Sequence, residues 1–199
     1  MSTGGDDRKA QILDTALALA FEGGPGRVTT VAIAARLGLT QPAIYRHFRS
    51  KAELWHAITD RLGDEVARNL DAAATSGAPA VSRLRALVLG QIALIARTPA
   101  LPEIMLARDP TSAEAVVRAA MQARMAAFQS SLVGLCAAAQ TEGALRDDLP
   151  AADIAALVMG VVQSLALRLV LTQDPGPVAA DGQRLLDLQL AAFARPNEA

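Results

Sequence analysis

Between Thr29 and Phe48 the sequence TTVAIAARLGLTQPAIYRHF carries two helix starts eleven residues apart, and the single glycine between them leaves no room for a loop. Thr29 suits the position before a helix, because its hydroxyl can accept from an unpaired amide of the first turn. Ile33, Ala34 and Leu37 follow at helical spacing, and Gly38 supplies the left-handed turn that ends the pattern. Thr40 is expected to cap the next helix, running through QPAIYRHF, where Pro42 is tolerated because a first turn lacks internal amide partners. Two short helices that cross this closely need a small residue at the crossing, a glycine in the turn and an apolar anchor beyond it. Ala34, Gly38 and Ile44 stand in that order, the helix-turn-helix arrangement. Ile44 and Phe48, four residues apart, face inward, which turns Gln41, Pro42, Ala43, Arg46 and His47 outward.

The rest of the chain reads as helix. Ile12, Ala16, Leu19 and Ala20 mark a first helix from about Arg8 to Glu22, stopped by GGPG at 23–26. Lys51 opens a long fourth helix through Leu54, Trp55, Ile58, Leu62 and Val66, ending near TSGAP at 75–79. Further helical runs are expected near 80–97, 101–107, 112–142, 151–172 and 180–194, punctuated by Pro99, Pro102, Pro110, Pro150 and the DPGP of 174–177. Alanine and leucine dominate and aromatics make up only 3% of residues, so the fold class is all-α. The expected division is a three-helix head at 1–50, with its helix-turn-helix at about 29–48, and a larger helical domain at 51–199.

Charge places a partner. From Arg27 through Lys51 there are five basic residues, Arg27, Arg36, Arg46, Arg49 and Lys51, and no acidic one, in a chain of formal net charge −1. Phosphates are drawn to such a segment, and the outward face of the third helix is of a size for a major groove. Other classes find less support. There is no metal-ligand spacing, no glycine-rich phosphate loop and only two histidines, His47 and His56, so neither enzyme chemistry nor a cofactor is expected. Ile154 to Thr172 is apolar enough to span a membrane, but Gln163, Ser164 and Arg168 would be costly in lipid, so a buried helix is expected instead. The lone Cys136 reads as a small buried hydrophobe of a reducing compartment. The polar N-terminal MSTGGDDRKA, with no apolar stretch after it, fits a cytoplasmic protein.

The segment TTVAIAARLGLTQPAIYRHFRSKAELW resembles the signature of the TetR/AcrR family of transcriptional regulators, and the likeness extends over about residues 8 to 66. That resemblance implies an all-helical homodimer on a double-stranded DNA operator, with a small-molecule effector in each C-terminal domain. It implies that Thr40, Tyr45 and Lys51 bind phosphates and that Thr29 and Thr30 touch the DNA backbone. Gln41, Pro42, Ala43 and Arg46 would then approach base edges, and His47 either phosphate or base. Val31 departs from the pattern, standing where some members carry a basic residue that reads guanine.

Two apolar stripes near the C-terminus suit a four-helix interface between subunits. The residues expected there are Val158, Val161, Val162, Leu165 and Leu169 on one helix and Leu186 and Leu190 on the next, with Gly160 allowing close approach. Ligand contacts are expected by location at Met105, Met121, Met125 and Phe128, with Gln163 as a polar anchor. The function these readings imply is repression relieved by an effector. The alternative is a helix-turn-helix factor without an effector, acting as an activator or DNA-organising protein.

Overall fold

A computed structural model describes the backbone of residues 3–106 and 112–195, and side chains from Gly5 to Met105 and from Gln122 to Arg195. It contains nine α-helices among these residues, as expected of an all-α chain. They divide into two compact units: the chain up to Gly63 with the segment from Thr98 onward, and Asp64–Arg97 with the chain from Gln122 onward.

The first unit is built on α1 (Thr3–Gly23), α2 (Thr30–Leu37), α3 (Gln41–Tyr45), the start of α4 (Lys51–Thr75) and α6 (Ala100–Leu106). Its core is a single apolar cluster that includes Ile12, Ala16, Val28, Ile33, Ala34, Ile44, Phe48, Leu54, Ile58 and Leu101, all buried. A 3-10 turn at Pro25–Arg27 follows the left-handed Gly24 and carries the chain from α1 into α2. Trp55 is buried as a packing residue, whereas His56 beside it on α4 is exposed.

The second unit packs α5 (Ala80–Arg97), the later part of α7 (Ser112–Thr141), α8 (Ala151–Thr172) and α9 (Val178–Phe193) with the C-terminal half of α4. α5, α8 and α9 lie against one another, and Gly182 marks a close approach: a Cβ there would sit 2.7 Å from Ile92 Cγ2 and 3.0 Å from Leu165 Cδ1. α4 and α5 are pinned where Asn69 Nδ2 donates to the Leu87 carbonyl at 2.9 Å. Ion pairs Arg85–Asp187 and Arg168–Asp181 join α9 to α5 and α8. The apolar stretch that has membrane-spanning length is α8, and its buried face belongs to this core.

That face corrects the expected interface. Val158, Val162, Leu165, Leu169, Leu186 and Leu190 are buried in the subunit's own core, and only Val161 is half-exposed. α8 is apolar around most of its circumference, so spacing alone could not tell which stripe turns inward. The outward stripe is Leu157, Val161, Ser164, Leu167 and Leu171, joined by Leu188 of α9; Leu157, Leu167, Leu171 and Leu188 are 53%, 55%, 75% and 61% exposed.

Candidate nucleic-acid interface

Thr29 takes the position the sequence gives it: its hydroxyl accepts from the Ala32 amide at 3.1 Å, and its backbone is extended. Gly38 closes α2 at φ 64°, in the left-handed region where a side chain is strained, and Leu39 N then donates to the Ala34 carbonyl at 2.8 Å. With Ala34 and Ile44 both buried at the crossing, α3 is fixed against α2.

α3 differs from expectation in two respects. It spans five residues and stops at Tyr45; Arg46 and His47 continue it as a turn, with His47 N and Phe48 N both donating to the Ile44 carbonyl. Phe48 is still buried, so the same residues face outward. Thr40 stands before α3, but its hydroxyl makes no capping hydrogen bond. The first residue of the helix is bonded elsewhere: Gln41 Nε2 donates to Thr30 Oγ1 at 2.9 Å, across the turn.

The outward face carries Gln41, Pro42, Tyr45 and Arg46, all exposed, with Ala43 and His47 half-exposed beside them. Thr40, Arg49 and Lys51 are exposed along its edges, and Thr29, Thr30 and Val31 come from the start of α2. Of the five basic residues, Arg36 is neutralised: it forms a two-pronged pair with Glu22 at 2.8 and 2.6 Å, which holds that carboxyl below the ordinary carboxylate range. No ion pair engages Arg46, Arg49 or Lys51 among the described residues.

Lys51 opens α4. Ser50 Oγ accepts from Glu53 N at 3.1 Å, and Glu53 in return accepts from Arg49 N at 2.6 Å, a reciprocal cap that explains the Ser-Lys-x-Glu pattern. A lysine at the positive end of a helix is disfavoured by the helix dipole, whereas an anion there would be bound by the cation and by the free amides together.

A family model described as "Bacterial regulatory proteins, tetR family" matches residues 12–58. The matched segment contains α2 and α3 whole, with the turn between them. The chain spans about half the length of the curated relatives it matches, nucleoid occlusion factors named SlmA: 29% identity over 108 residues for that of a Marinomonas strain, 54% of each chain, and 31% over 100 residues for that of an Enterobacter strain, 50% of each. Over nearly the whole chain the tetR-family fold recurs in solved structures. The ketosteroid transcriptional regulator KstR2 of Mycobacterium tuberculosis superposes with a TM-score of 0.80 at 21% identity, over 95% of this chain and 96% of that one. SmeT, the repressor of the Stenotrophomonas maltophilia multidrug efflux pump SmeDEF, superposes with a TM-score of 0.70 at 25% identity, over 95% and 91%.

Among the expected ligand contacts, Phe128 is buried in the core of the second unit, Met125 is half-buried there, and Met105 is half-buried in the first unit. Met121 lies outside the residues whose side chains are described. Gln163 is exposed, one step around α8 from the inward Val162, so it is no interior anchor. Gln91 of α5, 7% exposed, is a buried polar side chain of the second unit whose Oε1 has no hydrogen-bond partner among the described residues; the Oε1 of Gln189 on α9 is likewise buried without one. The trace of Gln91 in the sequence is one amide inside the apolar run LVLGQIALI, on the same helical face as Leu84, Leu87, Val88 and Ile95.

Proposed function

We propose that the protein is a DNA-binding transcriptional repressor, acting in the cytoplasm as a homodimer on a palindromic operator and released by a small-molecule effector. The observation that carries this reading is the outward face of α3, where Gln41, Pro42 and Arg46 surround the buried anchor Ile44 and the side chains of Arg46, Arg49 and Lys51 enter no ion pair among the described residues. In this reading Gln41, Pro42, Ala43 and Arg46 meet base edges in the major groove. Thr29, Thr40, Tyr45 and Lys51 hold phosphates, His47 meets phosphate or base, and Thr30 lies close to the backbone.

Dimerisation is assigned to the outward stripe of α8 and α9. Leu157, Gly160, Val161, Ser164, Leu185 and Leu188 line an open groove there, and nothing lies within 4 Å of where a Gly160 Cβ would be, so a partner helix can approach. Four widely exposed leucines on neighbouring helices form an apolar surface that a second copy would cover. The effector is assigned to the interior of the second unit, where Gln91 offers an unmet acceptor in apolar surroundings. The repression described for SmeT supports the regulatory reading. An effector acts by preferring the conformation that no longer fits the operator.

The nucleoid occlusion factors among the relatives favour a second reading, a DNA-organising protein without an effector. Selection of duplexes from a random pool by the purified protein tests the common core of both. The expected product is a palindrome whose half-sites lie about 34–36 Å apart, or a multiple of that. A pool that stays random would overturn both. Small molecules that dissociate the selected complex would separate the first reading from the second.

A further inference from the structure

The hydrogen bond between Gln41 and Thr30 restricts what Gln41 can present to a base. A carboxamide carries two N–H donors on one branch and an oxygen with two lone pairs on the other. Here one donor is committed, with Nε2 at 2.9 Å from Thr30 Oγ1, and among the described residues nothing bonds Oε1. Gln41 is exposed at the first position of α3, and Thr30 is half-buried at the first position of α2. An exposed glutamine otherwise samples many rotamers, so this tether orders the side chain before DNA arrives.

The geometry points to Thr30 as a positioning residue that holds the Gln41 carboxamide with its oxygen outward, so that Gln41 reads adenine; this rests on α3 being the groove helix. Oε1 accepts from adenine N6, and the second N–H, left free by Thr30, donates to N7. The reversed carboxamide would offer both N–H groups to the groove and match the acceptors of guanine instead. Thr30 thereby acts on sequence choice as well as on the backbone of the DNA.

Selection from random duplexes, repeated with three variants, tests this. Thr30→Val keeps the branched shape and removes the hydroxyl, Thr30→Ser restores it, and Gln41→Ala removes the reader. Adenine enrichment at one position of each half-site is expected to fall roughly tenfold in Thr30→Val and in Gln41→Ala, with other positions unchanged. It is expected to survive in Thr30→Ser, and the double variant should lose no more than either single one. A uniformly weaker site with the same base profile, guanine at that position, or undiminished adenine in Thr30→Val would overturn the assignment. A wild-type protein that enriches no sequence would remove DNA reading itself, and this assignment with it.

Discussion

In the proposed function, single residues of the first unit divide into those that would hold the protein on DNA and those that would choose where. Lys51 carries its charge at the start of α4 without an ion pair among the described residues, so Lys51→Ala is expected to weaken binding to every sequence and to lower the slope of log K against log salt by about 0.9. Arg46→Ala is instead expected to flatten base preference at one position, at a cost of about 1–3 kcal/mol on the preferred site. Both follow from fluorescence titrations at several salt concentrations. The outward face of α3 was legible because Ala34, Gly38 and Ile44 fix the crossing. The Arg36–Glu22 pair was not legible, because its partners lie fourteen residues apart on separate helices. Gln91 was equally hidden, since an amide in a helical run is buried or exposed by the packing of other helices. In the apo protein its unpartnered oxygen costs about 1–3 kcal/mol, so Gln91→Leu is expected to raise the melting temperature of the free protein. An unchanged or lower melting temperature would show that the oxygen is satisfied, by water for example.

At the scale of elements, prolines, glycines and caps placed nearly every helix, and the starts of α4, α5 and α8 fall at the residues the sequence marks. The end of α3 did not follow, because the inward spacing of Ile44 and Phe48 persists through a turn as well as through a helix. The facing of α8 did not follow either, for its apolar circumference supports two stripes. The inward stripe depends on α9 coming close, which Gly182 allows. Gly182→Ala would press a methyl group on Ile92 and Leu165, and chemical denaturation should show a loss of about 1–3 kcal/mol. The α8–α9 pair also carries an acid-sensitive element. Arg184 and Arg168 hold the Asp181 carboxyl below the ordinary carboxylate range. A folded-state pKa below the unfolded one stabilises the fold above the ordinary carboxylate value, and that contribution is lost as pH falls through the depressed value. Because Asp181 is only half-buried and both arginines are exposed, the effect is small. Thermal melts of Asp181→Asn should therefore lose less on acidification than those of the wild type.

The chain carries one helical unit with the helix-turn-helix and a second with an exposed apolar stripe. If that stripe pairs two copies, Leu157→Asp with Leu188→Asp should give a folded monomer in sedimentation, and its affinity for a palindrome should collapse while the inward Val158 and Leu186 remain buried. Dimers that persist would move the interface elsewhere. Operator choice and effector identity were not legible, since the first depends on a few exposed side chains and the second on an interior that only the packed helices define. The most direct test is a titration of the selected duplex against a scrambled duplex of equal length and composition, at one stated salt concentration. The account predicts that the selected duplex binds about a thousandfold more tightly or better. Equal affinity for the two would contradict it, leaving a surface that attracts phosphates but reads no sequence.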